Sequence, residues 1–202
     1  KIAVSITADK IITDPLRTLT YGTDASFYRL IPKIVINVQS EKEVQLILRE
    51  AHKLKLPVTF RAAGTSLSGQ AVTDSILVRL GQGWRKYRVF DKAMKIQLEP
   101  GIIGSQANAI LAEFDRKIGP DPASIDSAKI GGILANNASG MCCGIEQNSY
   151  QTLDSMRLVL ADGTAVDTAE DTSRAEFART HGAILDKLAK LRQRVLGDEH
   201  LA

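Results

Sequence analysis

Cysteine is nearly absent from this chain of 202 residues: there are two, and they are adjacent, at Cys142 and Cys143. Neighbouring cysteines rarely form a disulfide with each other, because the geometry is strained. The spacing also fits neither a zinc site nor an iron–sulfur cluster, so we predict no metal ligands here. Since disulfides persist mainly in oxidising compartments, the simplest inference is a cytoplasmic protein.

Aromatic residues, long apolar runs and net charge are also scarce. The chain has only ten Phe, Trp and Tyr residues, and its basic residues are scattered, with a formal net charge of +3. We therefore predict no nucleic-acid partner. No apolar run approaches the length of a membrane span, and the first residues lack the long apolar region of a signal peptide. Hydrophobic residues still make up 44% of the chain, which is enough for a core.

The most informative segment that is present is the polar, glycine-rich run at residues 61–71. It follows a short apolar stretch, Leu56–Phe60, which we predict to be a buried strand. Gly64 and Gly69 permit a positive φ or the close approach of another group. Successive free N–H groups in such a turn form a nest for an anion. We predict that this loop binds a phosphorylated cofactor through Arg61, Ala62, Ala63, Gly64, Thr65, Ser66, Gly69, Gln70 and Ala71.

Two considerations limit what this loop implies by itself. Segments rich in Gly, Thr and Ser are mostly ordinary turns. The loop also lacks the Lys-Ser or Lys-Thr pair of a P-loop and the Gly-x-Gly-x-x-Gly spacing of a dinucleotide turn. Phosphate would therefore have to be held by loop amides rather than by a helix N-terminus. Arg61 could pair with a phosphate or form a surface salt bridge, and the sequence favours neither.

A second unusual segment lies at residues 118–144. Two prolines fix its backbone where it begins, Gly131 and Gly132 leave room for a flat or bulky group, and polar side chains stand among small apolar ones. A tight turn and a short, closely packed helix would also fit. Two such segments in one small chain are nevertheless costly to order without a ligand. We predict cofactor contacts from Pro120, Asp121, Pro122, Ser124, Ile130, Gly131, Gly132, Asn136, Asn137, Ser139, Gly140 and Gly144.

Some of these predictions carry alternatives of their own. Asp121 could accept a hydrogen bond from the cofactor or cap the turn between its prolines. Asn136 and Asn137 could both bind, or one of them could be structural. Cys142 and Cys143 lie where the segment turns back, and we interpret them as buried spectators. The histidines are interpreted as surface or packing residues: His52, His181 and His200.

The order of elements predicts an α+β chain with two lobes. In the first, a strand at Pro32–Val38 leads into a helix capped by Ser40 and then into the strand ending at Phe60. This β-α-β unit predicts a small sheet with parallel pairing. The second lobe is predicted as a larger mixed or antiparallel sheet with flanking helices. Its predicted strands are 75–80, 86–91, 95–99, 152–160 and 164–167, and its helices are 104–117, one capped at Ser173, and 184–195. The predicted division is 1–72, 73–170 and 171–202.

The two glycine-rich segments resemble the flavin-binding segments of the vanillyl-alcohol oxidase family, whose FAD-binding domains are of the p-cresol methylhydroxylase (PCMH) type. The first resembles the family's pyrophosphate loop, and the second resembles the stretch along its ribityl chain and isoalloxazine ring. Upstream, Leu19–Pro32 is similar to bacterial FAD-linked D-2-hydroxyacid dehydrogenases, most of all the long FAD and iron–sulfur D-lactate dehydrogenases. Downstream, Leu153–Thr164 is similar to a hairpin of the same family. The resemblance covers about residues 10–168.

The resemblance implies a two-lobed PCMH-type FAD-binding domain with FAD in the cleft between the lobes. It also implies an oxidoreductase that passes hydride from a D-2-hydroxyacid, with D-lactate favoured, to the flavin. Some relatives bond the flavin covalently through a His in the first loop. Residues 61–71 contain no His, Cys or Tyr, so we expect non-covalent FAD. The family's substrate-binding Arg and catalytic His residues lie in a later cap domain, so we assign no catalytic residue here.

Several matters stay open under this interpretation. We expect the chain to be the N-terminal part of a longer enzyme, with any iron–sulfur cluster in parts absent from it. The electron acceptor and any peripheral association of the full protein with the inner membrane are undecided. One alternative is a non-catalytic FAD-binding module that needs a partner chain. Another is an FAD-dependent reductase of a nucleotide-linked sugar, against which the segment Tyr21–Pro32 argues.

Overall fold

A computed structural model describes residues 6–198, which form an α+β fold as predicted. His200 lies outside the described residues. The helices are α1 Pro15–Leu19, α2 Glu41–Leu54, α3 Gly104–Ala112, α4 Ile130–Ala135, α5 Ser149–Thr152 and α6 Asp171–Leu196. The strands are β1 Ile11–Ile12, β2 Ile34–Val38, β3 Val58–Arg61, β4 Ile76–Leu80, β5 Tyr87–Phe90, β6 Lys95–Leu98, β7 Arg157–Val159 and β8 Ala165–Asp167.

The main sheet has four strands in the order β1-β2-β4-β3. β4 is parallel to both β2 and β3, while β1 is antiparallel to β2. Residues 75–80 were predicted in the second lobe, and in the structure β4 pairs with β2 and β3, two strands of the predicted first lobe. Ile76, Leu77 and Val78 are all buried. Such a continuous apolar run suits a strand that is buried on both faces, and β2 and β3 pair with its two edges.

Helix α2 forms as the sequence predicts. Ser40 is its N-cap, and the Ser40 hydroxyl accepts a hydrogen bond from the N–H of Glu43 at 3.4 Å. The Glu43 carboxylate accepts from the N–H of Gln39 at 2.7 Å, one residue earlier than in a standard capping box. The buried face is Val44, Ile47, Leu48 and Ala51, at helical spacing. Lys55 adopts a left-handed conformation with φ 54° and ends the helix.

The remaining strands form two separate antiparallel pairs, β5–β6 and β7–β8, instead of one larger sheet.

The helix predicted at residues 104–117 ends at Ala112, because Asp115 takes φ 55° and the N–H of Arg116 donates to the carbonyl of Leu111 at 3.2 Å. Thr152, predicted to begin a strand, ends helix α5 instead.

The chain divides into two compact units that do not coincide with the predicted segments. One contains the chain up to Leu153 together with Ala161–Gly163, and the other contains Asp154–Leu160 and the chain from Thr164 onward. The predicted border at residue 72 is not a border between these units. The lobes at 1–72 and 73–170 and the segment at 171–202 stay a prediction about how the chain surrounds a cofactor.

The smaller unit contains β7, β8 and one long helix, α6, where the sequence predicted two. A local break at His181, with φ −126° and ψ 24°, interrupts it. Ser173 does not cap this helix: Glu170 is the N-cap, and the Ser173 hydroxyl accepts a hydrogen bond from the N–H of Asp167 at 2.9 Å. Within residues 6–198, no helix is both long enough and apolar enough to cross a bilayer.

Candidate cofactor site

The loop at residues 61–71 begins where β3 ends and turns at two glycines. Gly64 has φ 78° and Gly69 has φ 73°, a conformation that suits glycine. The Ser66 hydroxyl shapes the turn, since it accepts hydrogen bonds from the N–H groups of Ser68 and Gln70, both at 3.2 Å. Within residues 6–198, the N–H groups of 63–67 and of 69 donate no hydrogen bond. The loop therefore offers the series of backbone donors that an anion nest requires.

Asp24, from the segment before β2, fixes the far end of this loop. Its Oδ2 accepts a hydrogen bond from the N–H of Ala71 at 3.3 Å, and its Oδ1 accepts from the N–H and hydroxyl of Ser26 at 2.9 and 2.5 Å. Partial burial alone would raise the pKa of Asp24. The hydrogen bonds and the nearby Arg61 guanidinium outweigh burial and hold the pKa below its ordinary value of 3.8. Asp24 is therefore a carboxylate at neutral pH.

Arg61 folds back under the loop. Its Nη1 donates to the carbonyl of Tyr21 at 3.1 Å, and a Cβ added at Gly64 would lie 2.6 Å from Arg61 Nε. Burial lowers the pKa of Arg61, and Asp24 partly restores it. The structure thus gives Arg61 a role that the sequence did not suggest: it joins the loop to the segment around Tyr21. The hydrogen bond of Asp24 to the loop was not predicted either, although an Asp two residues before a Ser is typical of a side chain that bonds its own turn.

The first part of the second segment is a compact turn between two buried prolines, Pro120 and Pro122. The Pro122 carbonyl accepts from the N–H of Ile125 at 2.8 Å, and the Ser124 carbonyl accepts from the N–H groups of Ser127 and Ala128 at 2.8 and 2.7 Å. Both prolines are packed against protein. Contacts within the protein therefore stabilise this turn, and its predicted contacts with a cofactor are not needed to explain its conformation.

Asp121 joins this turn to residues 140–144. Its Oδ1 accepts a hydrogen bond from the N–H of Cys143 at 3.1 Å. A Cβ at Gly140 would lie 1.8 Å from the Asp121 carbonyl oxygen, so only glycine permits this approach. Burial would raise the pKa of Asp121, but hydrogen bonds from Cys143 and Cys142 lower it.

Cys143 is buried as predicted, whereas Cys142 is exposed. Gly144 has φ 54° and no neighbour within 4 Å of its Cβ position.

Helix α4 brings the second segment to the first loop. A Cβ at Gly132 would lie 3.5 Å from the Ala62 Cβ, in ordinary contact distance. A Cβ at Gly131 would lie only 2.7 Å from Pro100 Cβ, so Gly131 serves close packing within the protein. The Ile130 N–H donates to the Ile102 carbonyl at 2.8 Å, which anchors the start of the helix.

The two asparagines after α4 have different roles. Asn136 is exposed, and its Oδ1 accepts a hydrogen bond from Gln70 Nε2 at 3.2 Å, which joins the two predicted segments directly. Asn137 has φ 46°, and its Oδ1 accepts from the N–H of Tyr150 at 3.1 Å. The Ser139 hydroxyl donates to the Asn137 carbonyl at 3.0 Å. Asn137 is therefore engaged in structural contacts, and binding of the cofactor by either asparagine stays a prediction.

These residues fit the phosphate part of a dinucleotide cofactor. The free amides of residues 63–67 and 69 are the donors that could hold phosphates, and the Gln70–Asn136 hydrogen bond joins this loop to the second segment. Within the described residues, no group of three His, Cys, Asp or Glu side chains could hold a metal ion.

The family described as FAD binding domain matches residues 32–169 of the chain. The chain belongs to this family. FAD is therefore the cofactor of this FAD-binding domain, as the resemblance implied, and the match includes both glycine-rich segments. The contacts of individual residues with FAD stay predictions.

Among curated proteins, the FAD-binding domain is 29% identical over 154 residues to D-2-hydroxyglutarate dehydrogenase of Pantoea ananatis, covering 74% of this chain and 15% of that protein. It is 28% identical over 148 residues to glycolate oxidase subunit GlcD of Escherichia coli K12, covering 72% and 30%. It is 27% identical over 170 residues to the mitochondrial D-lactate dehydrogenase [cytochrome] of Arabidopsis thaliana, covering 82% and 30%. The domain therefore spans less than a third of the length of these relatives.

Solved structures share its fold. An alkyldihydroxyacetonephosphate synthase is 19% identical with a TM-score of 0.70, and the match covers 81% of this chain and 33% of that one. A p-cresol methylhydroxylase with substrate bound is 16% identical with a TM-score of 0.68, covering 86% and 36%. The predicted PCMH-type fold is thereby confirmed.

Proposed function

We propose that this FAD-binding domain is the cofactor-binding portion of a flavin-dependent dehydrogenase that oxidises a D-2-hydroxyacid to the 2-oxoacid. The observation that carries the cofactor role is the row of free amides at residues 63–67 beside the Gln70–Asn136 hydrogen bond. The named relatives that act on D-2-hydroxyglutarate, glycolate and D-lactate support the substrate class. We propose D-lactate as the substrate to test first.

In this proposal the chain's own residues bind and orient the cofactor. The amides of the 61–71 loop stabilise phosphate charge, and Asp24 and Arg61 hold the loop in the conformation that presents them. Bound FAD would supply the redox chemistry by accepting two electrons from the substrate. The group that takes the substrate's hydroxyl proton and the clamp for its carboxylate are proposed to lie in other parts of the enzyme. A cytoplasmic location belongs to this proposal as well.

We propose that FAD is bound non-covalently, because residues 61–71 lack His, Cys and Tyr. The test is to incubate the purified chain with FAD, desalt it and record its visible spectrum. Acid precipitation should then release all flavin into the supernatant. Flavin that stays with the precipitate would contradict non-covalent binding.

Two glycine variants make this experiment specific to the loop. Gly64→Ala adds a Cβ at φ 78° and 2.6 Å from Arg61 Nε, so we expect it to lose most of the retained flavin. Gly182→Ala, in helix α6, adds a Cβ with nothing within 4 Å and should retain flavin as the unaltered chain does. Equal retention by both variants would contradict the assignment of the loop to the cofactor.

The substrate class needs the longer polypeptide that contains this domain. Anaerobic bleaching of its flavin by D-lactate, D-2-hydroxyglutarate and glycolate, with L-lactate as control, would identify the preferred hydroxyacid. Absence of bleaching by every hydroxyacid, with FAD still bound, would support the non-catalytic module instead. Oxidation of NADPH by the FAD-loaded protein would support the nucleotide-sugar reductase.

A further inference from the structure

Positive charge is concentrated at the carboxyl ends of the parallel strands. The register places Arg61 of β3 beside Arg79 of β4, and Asn37 of β2 on the other side of Arg79. Like charges on directly neighbouring strand positions are destabilising. Ligands of open parallel sheets characteristically bind outside these carboxyl ends. Arg79 is exposed, so its guanidinium is open to an anion from the solvent side.

Lys129 adds a third positive charge at the same edge. Its Nζ donates to the carbonyl of Leu80, the last residue of β4, at 3.4 Å. Burial lowers the pKa of Lys129, and the nearby Arg79 and Arg85 lower it further. A half-buried ammonium beside other cations is unfavourable unless an anion joins them.

Protein carboxylates do not supply that anion. Asp24 is close to Arg61, but among residues 6–198 neither Arg79 nor Lys129 forms an ion pair. Neutral groups hold the Arg79 guanidinium in place. Its Nη1 lies 3.4 Å from Asn37 Oδ1 and 3.5 Å from the Tyr21 hydroxyl, and its Cζ is 5.8 Å from the centre of the Tyr21 ring. These contacts orient the charge without neutralising it.

We propose that Arg79 and Lys129 form a phosphate-binding subsite at the carboxyl end of β4, next to the 61–71 loop. The ligand chemistry is a phosphate group. Its source is either the diphosphate of FAD, in which case the inference rests on the proposed function, or a separate phosphate-bearing ligand. Arginine and lysine both bind phosphate through charge-assisted hydrogen bonds.

The test compares Lys129→Gln with Lys33→Gln. Glutamine at 129 keeps a donor for the Leu80 carbonyl while it removes the charge, and Lys33 is an exposed residue before the amino end of β2. We expect Lys129→Gln to weaken ADP and FAD binding about tenfold by isothermal titration calorimetry, which corresponds to roughly 1.4 kcal/mol. Raising NaCl from about 0.05 M to about 0.5 M should weaken binding more in the unaltered chain than in this variant.

The thermal midpoint of the cofactor-free chain separates a binding role from a structural one. Lys129→Gln relieves repulsion from Arg79 and Arg85, so its midpoint should equal or exceed that of the unaltered chain. A lower midpoint, which a structural lysine would produce, would overturn the subsite. The subsite would also be overturned if Lys129→Gln and Lys33→Gln bound ADP, FAD and inorganic phosphate with equal affinities.

Titration with inorganic phosphate distinguishes the two sources. Phosphate that competes with FAD, and binds more weakly to Lys129→Gln, would identify the cofactor's diphosphate. Phosphate that binds through Lys129 without displacing FAD would identify a separate ligand. If the chain fails to bind FAD but still binds phosphate through Lys129, the proposed function fails while the subsite stands.

Discussion

Replacing Asp24 by Asn should weaken the cofactor loop while its size stays nearly constant. Asp24 receives hydrogen bonds from Ser26 and from the N–H of Ala71, through both carboxylate oxygens. Asn has one such oxygen and an NH₂ group, so one of these partners would face a donor instead of an acceptor. The negative charge beside Arg61 would also disappear.

The size of the effect follows from these contacts. A hydrogen bond to a charged group contributes roughly 1.5–3 kcal/mol, and solvent reduces the attraction between Asp24 and Arg61 because both are only partly buried. We therefore expect the free energy of unfolding to fall by about 1–2 kcal/mol. Loop amides that are no longer held in place should weaken FAD binding about tenfold.

The pH dependence has a definite sign. The folded pKa of Asp24 lies below 3.8, so its stabilisation is present above pH 3.8 and is lost as the pH falls through the folded value. The stability difference between the unaltered chain and Asp24→Asn should therefore be constant at neutral pH and shrink in this acidic range.

Urea unfolding, FAD titration and hydrogen exchange of the Ala71 amide would measure these effects. Asp74→Asn, at an exposed position near the end of the same loop, is the matched control. Faster exchange of the Ala71 amide in Asp24→Asn alone is the expected local signature. Unchanged exchange and unchanged FAD affinity would refute the role assigned to Asp24.

Two further predictions concern the core and the cysteines. Leu77→Ala removes a fully buried side chain in the sheet interior and should lower the free energy of unfolding by about 2–5 kcal/mol. Urea unfolding measures this, and a change no larger than that caused by alanine at the exposed Leu67 would contradict it. A thiol reagent should modify one cysteine in the folded chain and two after unfolding, because Cys142 is exposed and Cys143 is buried. Cys142→Ser should abolish the folded-state reaction, and modification of Cys143 without unfolding would count against the structure.

Local sequence patterns predicted most of the elements in the chain. Helix α2 followed from Ser40 and its apolar spacing, and the strands β5 and β6 were predicted near their observed positions, although as parts of a larger sheet. The position of β4 could not be inferred in this way. Its apolar run predicts a buried strand, but nothing local to residues 76–80 says that β2 and β3 flank it.

The site was predicted as two segments, and the structure brings them together through Gln70 and Asn136. The contacts that shape the site were harder to predict. Asp24 and Arg61 act through backbone groups of residues 47 and 40 positions away, and any polar backbone group could have served as their partner. The hydrogen bond between Asn137 and Tyr150 accompanies a positive φ at Asn137, which the sequence does not specify.

The insertion of β4 between β2 and β3 also constrains how the chain can fold. β2 and β3 are successive strands, yet each pairs with β4 rather than with the other. Parallel pairing across long connections requires loop closure before its contacts can form, which slows folding. During synthesis, β2 and β3 would therefore expose unpaired edges until residues 76–80 leave the ribosome. In that interval these edges are available for pairing with other chains. The insertion of β4, which pairs with one edge of each strand in the finished sheet, therefore also creates a period of vulnerability to aggregation.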